Sequence, residues 1–279
     1  MNLSPPTPEQ IERAERFRAL HRPGTPLLMP NAWDVGSARL FTSLGCEAVA
    51  TTSGGFAVTM GRLDGAMTRD EVLAHCGELA AAVDVPVSAD LENCFADDPA
   101  GVADTIVAAV ARGLAGGSIE DFTRNRDDPI YEKAHAAERV RAAAEAAHAG
   151  PVPFVLTARA ENYLHGRVDL ADTIARLQAY QEAGADVLFA PRVVDPAEVR
   201  TLLAAVDRPV SVLLTPGAPP IGELATLGVS RISVGGAIAA ASYGLAVRAV
   251  QELQETGTPN YWEAAAAARS HMLDAFVKP

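Results

Sequence analysis

Three acidic residues at the ends of apolar segments could together bind a cation. Asp90 and Glu92 end the segment VPVSADLE (85–92), and Glu120 ends the apolar part of ARGLAGGSIED (111–121). If 85–92 is a strand, its side chains alternate, so Asp90 and Glu92 point to the same side. Clustered carboxylates without histidines suit a hard cation such as Mg²⁺ or Mn²⁺, held partly through water. The same acids could instead cap helices or pair with arginines.

Arg159 and the Ser53-Gly54-Gly55 segment are further candidates for binding chemistry. Arg159 lies near the end of PFVLTARAE (153–161), where it could bind a substrate carboxylate through two parallel hydrogen bonds or pair with one of the acids. Ser53-Gly54-Gly55 would present backbone N–H groups to an anion, although a tight turn would use the same residues. The charged segment RNRDDP (124–129) predicts either a solvated loop or a mobile cover for the site.

The elements that position these residues follow a repeated pattern. A helical tail runs into a glycine, and a short apolar segment follows that ends in polar or glycine residues. The four glycines, Gly45, Gly113, Gly184 and Gly228, suit the left-handed position that ends a helix. With four apolar segments between these repeats, the chain has eight candidate parallel strands. They lie within 27–33, 43–55, 85–92, 111–121, 153–161, 182–192, 208–214 and 226–236.

Amphipathic, alanine-rich stretches separate these segments and complete the prediction of the fold. They include 69–83, 99–112, 135–149, 169–183 and 196–205. The alternation predicts parallel strands with crossover helices, and eight such units favour a closed (β/α)8 TIM barrel of the α/β class. We expect one barrel domain over residues 1–279, with a leading helix (8–20) within residues 1–25. A C-terminal extension over 256–279 should end in a helix that begins near residues 260–263.

Catalytic groups of such barrels lie at the carboxyl ends of the strands. This rule gathers the acids, Arg159 and the Ser-Gly-Gly segment at one mouth, together with Trp33, Asp34 and Ser211. Polar groups at the ends of apolar strands need partners, because their burial without hydrogen bonds is costly.

Composition and charge exclude several classes of function. The formal net charge is −12, and such an acidic surface disfavours nucleic acid and anionic lipid as partners. The three cysteines form no CxxC pair, which argues against a disulfide framework and a structural zinc site. Because the sequence shows no signal region and no apolar stretch of about 18 residues, we expect a cytoplasmic protein. No GxGxxG follows the first strand, so a nucleotide-binding fold gains no support.

The sequence resembles the isocitrate lyase/phosphoenolpyruvate mutase superfamily over nearly its whole length. The resemblance lies in the order and spacing of PNAWDVGSARL (30–40), TTSGGFAVTMGRLDG (51–65), SADLENCFADDP (88–99), GGSIED (116–121), TARAENYLHG (157–166) and RISVGG (231–236). It implies a (β/α)8 barrel whose eighth helix is exchanged between the subunits of a homodimer or homotetramer. It also implies Mg²⁺, with Mn²⁺ as the alternative, and small 2-oxo or 2-hydroxy acid substrates that react through an enolate.

Carried over to this chain, the resemblance implies a metal site and a substrate site that share residues. The metal site comprises Asp64, Asp90, Glu92 and Glu120, with Glu92 in place of the usual second Asp. The substrate site comprises Trp33, Ser53, Gly54, Gly55, Asp90 and Arg159, to which the strand-end rule adds Ser211. The predicted catalytic residues are Arg159, Glu120 and Asn125.

The loop after Glu120 departs from the superfamily pattern and leaves the reaction open. Isocitrate and methylisocitrate lyases carry a K-[KR]-C-G-H loop whose Cys is the acid–base, whereas EDFTRNRDDPIYEK (120–133) contains no Cys, His or Gly. The Lys-Thr-Asn-like stretch of the mutase is absent too, and Asn125 with its neighbouring arginines could substitute. We expect a Mg²⁺-dependent carbon–carbon lyase acting on a small di- or tricarboxylic acid, resembling an oxaloacetate decarboxylase or a methylisocitrate or malate lyase. The alternatives are carbon–phosphorus mutase or hydrolase chemistry, or a non-catalytic 2-oxo acid binding protein.

Overall fold

A ring of parallel strands forms the centre of the molecule, whose residues 6–277 are described by a computed structural model. Nine short strands pair in the order β1-β9-β8-β7-β6-β5-β4-β3-β2. β1 (Leu27–Leu28) and β2 (Asn31–Ala32) are two pieces of one segment, separated only by Met29 and Pro30. Because the two ends of the sheet belong to the same stretch of chain, the sheet closes into an eight-stranded barrel. The predicted (β/α)8 architecture is confirmed.

Helices connect the strands and cover the outside of the barrel. The remaining strands are β3 (Val49–Thr51), β4 (Val87–Asp90), β5 (Gly116–Glu120), β6 (Val155–Arg159), β7 (Val187–Phe189), β8 (Val210–Leu213) and β9 (Arg231–Ser233). The helices are α1 (Pro8–Ala19), α2 (Val35–Ser43), α3 (Ser53–Thr59), α4 (Arg69–Ala82), α5 (Pro99–Ala111), α6 (Lys133–His148), α7 (Leu170–Glu182), α8 (Pro196–Ala205), α9 (Ile221–Leu227), α10 (Ala237–Glu255) and α11 (Trp262–Phe276).

Local sequence explains where these elements begin and end. Side chains that accept a hydrogen bond from the first turn cap eight of the helices between residues 6 and 277: Thr7, Asp34, Thr52, Thr68, Asp98, Glu132, Asp169 and Asp195. The four glycines predicted to end helices all have positive φ angles, from +84° at Gly113 to +107° at Gly184. Six predicted helices end within two residues of the observed ones. They are the helices over 8–20, 69–83, 99–112, 135–149, 169–183 and 196–205.

The bottom of the barrel is closed by α1, the predicted leading helix. Phe17 of α1 is fully buried and packs against Gly116 of β5, where a Cβ atom would come 2.7 Å from the Phe17 ring. His21, just after α1, points to the inside of the barrel and lies 3.4 Å from the Arg231 guanidinium. The helix therefore plugs the end of the barrel opposite the mouth.

One local expectation near the mouth is wrong. β4 ends at Asp90, and Glu92 has a φ of +50°, so strand alternation does not set its direction. The turn after the strand orients the Glu92 side chain instead. Ser53-Gly54-Gly55 forms the first turn of α3, because the side chain of Thr52 caps that helix.

The last two helices lie differently from the others. α10 follows β9, yet Ala239 is its only buried residue, and Tyr243, Val247 and Val250 are exposed. α11, the predicted C-terminal helix, returns to α2, where the Phe276 ring lies beside Gly36. Among the helices of residues 6–277, none combines the length and the apolar composition that crossing a membrane requires.

Candidate active site

Arg159 joins three carboxylates at the mouth of the barrel. It is the last residue of β6, and its three guanidinium nitrogens each contact a different acid. Nη1 lies 3.0 Å from Asp90 Oδ1, Nη2 lies 3.1 Å from Glu120 Oε2 and Nε lies 2.8 Å from Glu161 Oε1. We call these four residues the acid–arginine cluster. The acids therefore pair with an arginine, as one interpretation of the sequence expects, and they also lie together at the strand ends, as a shared cation site would require.

Burial gives the acid–arginine cluster unusual proton affinities. Burial raises the pKa of Glu120 well above its ordinary range and also raises the pKa of Glu161, while Arg159 opposes both shifts. Burial alone would lower the pKa of Arg159, but Glu161, Glu120 and Asp90 raise it well above its ordinary value. Three carboxylates around one guanidinium leave an excess of negative charge, which a cation or bound protons can neutralise.

Glu92 is a buried acid with an unsatisfied oxygen beside the cluster. Its Oε2 lies 3.8 Å from Arg124 Nε, whereas the buried Oε1 has no hydrogen-bond partner within residues 6–277. Burial and the neighbouring Asp90 raise the pKa of Glu92 to about 7. A buried polar atom of this kind needs a ligand or water, because an unmade hydrogen bond is costly. Glu92 therefore fits a site in which a ligand or water, rather than the protein, supplies the partner of Oε1.

Ser53 and Gly54 form the wall of the site opposite Arg159. The Ser53 backbone N–H and hydroxyl both donate to Asp90 Oδ2, at 3.1 and 3.0 Å. Asp64 lies directly over Gly54, where a Cβ atom would be only 3.2 Å from Asp64 Oδ2. Glycine at this position thus allows the Asp64 carboxylate to approach the first turn of α3.

A cavity of about 240 Å³ opens at this mouth and runs into the barrel. Its lining includes five of the predicted residues, namely Ser53, Gly54, Asp64, Asp90 and Arg159. Asn31 of β2 and Arg231 of β9 also line it. A neighbouring cavity under the loop after β5 is lined by Glu92, Glu120, Glu161, Arg124 and Arg126. The two cavities share Ser53, Asp64 and Arg159, so they form one continuous mouth.

The donor set at this mouth fits Mg²⁺ held mainly through water. Among residues 6–277, no three His, Cys, Asp or Glu side chains form a direct ligand set for a metal ion. Mg²⁺ in proteins commonly binds one or two carboxylates and keeps several waters. The unsatisfied Oε1 of Glu92 and the excess of carboxylates suit such an outer shell.

Four of the predicted site residues lie outside the cavity lining. Asn125 accepts a hydrogen bond from Asp127 N at 3.0 Å within its own loop. Ser211 is buried and accepts from Arg231 Nε, and the Gly55 N–H donates to the Thr52 side chain. The Trp33 ring packs edge-on against Phe41, with ring centres 5.9 Å apart.

Several residues that organise the site were not predicted from the sequence. Arg139 of α6 is buried and donates to the backbone carbonyls of Asn93, Ala96 and Glu120, which fixes the turns after β4 and β5. Asp121 accepts from Glu161 N at 2.7 Å and from the Tyr180 hydroxyl at 2.5 Å. No local pattern marks Arg139, because its carbonyl partners belong to turns far away in the sequence.

The closed parallel barrel with charged groups at the carboxyl ends of its strands defines a (β/α)8-barrel site. The sequence model of the phosphoenolpyruvate phosphomutase family matches residues 17–254. A crystal structure from Burkholderia cenocepacia J2315, named provisionally as a lyase/mutase, has 50% identity and a TM-score of 0.93, with 98% of both chains covered. The 2-methylisocitrate lyase of Escherichia coli K12 is 30% identical over 214 residues, 74% of this chain and 71% of that protein. An uncharacterized protein of Mycobacterium tuberculosis H37Rv is 35% identical over 221 residues, 78% of this chain and 81% of that one.

The chain belongs to the phosphoenolpyruvate phosphomutase family, within the isocitrate lyase/phosphoenolpyruvate mutase superfamily. The resemblance seen in the sequence motifs is confirmed. Relatives in this family are lyases and mutases, so the fold and the mouth are those of an enzyme family.

Proposed function

We propose that the chain is a Mg²⁺-dependent carbon–carbon lyase that cleaves a small 2-oxo or 2-hydroxy di- or tricarboxylic acid through an enolate. The observation that carries the proposal is the unsatisfied Glu92 oxygen beside an excess of carboxylates at the mouth. The likeness to 2-methylisocitrate lyase adds support for cleavage of a carbon–carbon bond. Asp64, Asp90, Glu92 and Glu120 are the residues proposed to hold Mg²⁺, with Mn²⁺ as the alternative.

Arg159 and Ser53 have proposed positioning tasks in this reaction. When bound, Mg²⁺ would chelate substrate oxygens and offset the negative charge that develops as the bond breaks. Arg159 holds Asp90 and Glu120 in place through its two terminal nitrogens. Ser53 fixes the second oxygen of Asp90, so the carboxylate cannot rotate. Pre-orientation of this kind lowers the cost of reaching the transition state.

The test is an assay for 2-oxo acid products from oxaloacetate and substituted malates with Mg²⁺ present. We expect product from the wild type, and a loss of about a hundredfold in kcat/KM for Glu120→Gln. Glu182→Gln, at an exposed position on α7, is the matched control and should leave the rate unchanged. If none of these acids gives product, the lyase proposal loses its support.

A second candidate is carbon–phosphorus chemistry, favoured by the match to the phosphoenolpyruvate phosphomutase family. It requires phosphate or phosphoenolpyruvate to form from phosphonopyruvate in the same assay. Binding of pyruvate without turnover of any of these acids would instead favour a non-catalytic 2-oxo acid binding protein.

We also propose that the chain assembles as a homodimer or homotetramer in which α10 packs against another subunit. α10 has 19 residues and buries only Ala239 within its own chain. Tyr243, Val247 and Val250 lie at helical spacing on one exposed apolar face. A helix in a protein gains most of its stability from packing of its apolar face. A second copy of the chain would provide that packing for α10.

A further inference from the structure

Arg231 is a cation inside the barrel without an anionic partner among the residues that the structure describes. Only 4% of its surface is exposed, and its guanidinium donates to three neutral groups. Nε contacts Ser211 Oγ at 3.1 Å, while Nη1 contacts Thr157 Oγ1 at 2.9 Å and His21 Nε2 at 3.4 Å. None of the ion pairs among residues 6–277 includes Arg231. Its guanidinium is therefore a buried positive charge without a carboxylate.

The energetics of burial make this arrangement unfavourable unless a ligand completes it. Burial, together with the charge of Arg159, lowers the pKa of Arg231 to about 9, so the side chain remains cationic at neutral pH. A buried charge without a counter-charge destabilises a fold, and such groups concentrate at functional sites. Arg231 also lines the cavity that opens at the mouth, so a ligand can reach it.

The surroundings of Arg231 are polar where barrels are usually packed with branched apolar side chains. β4, β5 and β6 each carry a hydroxyl two residues before their charged residue at the mouth. Side chains two residues apart on a strand share a face, so these hydroxyls lie one layer deeper in the barrel. They are Ser88, Ser118 and Thr157. We call this layer, together with Arg231, the floor of the cavity.

The arginine at the floor and the arginine at the mouth differ in their hydrogen-bond partners. All three nitrogens of Arg159 already contact carboxylates, whereas Arg231 Nη2 has no hydrogen-bond partner among the described residues. Because Thr157 precedes Arg159 by two residues, the two layers lie roughly 7 Å apart. That separation suits the two ends of a linear acid with four or five carbons.

We propose that Arg231 binds one carboxylate of a dicarboxylate ligand at the floor, while the other carboxylate lies at the mouth near Asp90, where the proposed Mg²⁺ would offset the negative charge. The inference rests on the proposed function in that it concerns the same cavity, and it adds a residue that selects dicarboxylates over monocarboxylates. The hydroxyls of Ser88 and Ser118 can donate to the bound carboxylate. Ser211 and Thr157 orient the guanidinium from the other side.

The test is isothermal titration calorimetry with Mg²⁺ present, using acids that differ by one carboxylate. Succinate is compared with butyrate, and glutarate with pentanoate, at matched chain length. We expect the wild type to bind a dicarboxylate at least about tenfold more tightly than its partner acid. Arg231→Met should abolish that preference without weakening butyrate binding, and Arg231→Lys should retain part of it.

Thermal unfolding of the ligand-free variants separates binding from support of the fold. Since Arg231→Met removes an uncompensated buried charge, its Tm should equal or exceed that of the wild type. A lower Tm for this variant would assign Arg231 a structural role and overturn the proposal. Equal binding of both acids by the wild type, or an unchanged preference in Arg231→Met, would overturn it as well. Failure of the lyase proposal appears separately, as absence of products while the dicarboxylate preference persists.

Discussion

At the scale of single residues, Arg159 is the central group of the mouth, because three carboxylates contact it. Its guanidinium is shared by Asp90, Glu120 and Glu161, so none of the three acids is fully neutralised. Glu92 lies next to this cluster with an unsatisfied oxygen. The site therefore stores excess negative charge in a buried volume, which predicts that added cations stabilise the folded protein.

The Asp90→Ala variant tests this prediction for Mg²⁺. A ligand that binds only the folded state stabilises it by about 2.7 kcal/mol at a concentration of about 100 Kd. We expect Mg²⁺ to raise the Tm of the wild type and of Asp70→Ala, whose carboxylate is exposed on α4. Asp90→Ala should show no Mg²⁺-dependent rise in a differential scanning fluorimetry titration. An unchanged response of that variant would remove Asp90 from the metal shell.

At the scale of elements, the sequence was informative where local chemistry decides the structure. Caps such as Asp98 and glycines such as Gly184 set helix ends, and alternation of apolar and amphipathic stretches set the barrel. The direction of Glu92 could not be predicted, because a positive φ interrupts the alternation just after β4. Arg231 was not predicted either, since only closure of the barrel reveals that its charge lacks a partner.

His21 links the bottom helix to the inside of the barrel in a pH-dependent way. Nδ1 donates to Phe17 O at 2.8 Å, which leaves Nε2 as the acceptor facing Arg231. Burial and the charge of Arg231 lower the pKa of His21 from 6.5 to about 3. Between these values the unfolded chain binds a proton that the folded protein does not. Stability is therefore lost as the pH falls through this window.

The His21→Gln variant measures the contribution of this ring. From pH 7 to pH 5, His21 should cost the wild type about 2 kcal/mol of unfolding free energy. Urea denaturation at both pH values should show that loss reduced in His21→Gln and retained in His271→Gln, an exposed position on α11. Other titrating groups are common to all three proteins and cancel in the comparison. If the free energy of unfolding falls by the same amount between pH 7 and pH 5 in all three proteins, His21 is not a neutral buried group.

Gly116 shows how closely β5 approaches its neighbours. A Cβ atom there would lie 2.7 Å from Val155 O and 2.7 Å from the Phe17 ring, and both groups are held by the barrel. Gly116→Ala should lower the free energy of unfolding by about 1–3 kcal/mol through overpacking. Gly222→Ala is the matched control in α9, where a Cβ atom meets nothing within 4 Å. That variant should be neutral or stabilised by up to about 1 kcal/mol in the same urea experiment.

At the scale of the whole molecule, the proposed assembly depends on the exposed face of α10. Val247→Glu combined with Val250→Glu places two charges on that face at helical spacing. We expect the wild type to be a dimer or tetramer by size-exclusion chromatography with light scattering, and the double variant to dissociate. Thr201→Glu with Ala204→Glu adds the same charge at the same spacing at exposed positions of α8 and should keep the wild-type mass. A monomeric wild type would end the assembly proposal.

The closure of the ring also has a consequence for how the chain folds. β1 pairs with β9 through Leu27 and Arg231, residues that are far apart in the sequence. During synthesis, the edges of β1 and β8 stay unpaired until β9 has left the ribosome, and open edges of this kind invite association between nascent chains. Arg231 arrives with that last strand. The group proposed to recognise a ligand is thus put in place by the same event that removes the exposed edges.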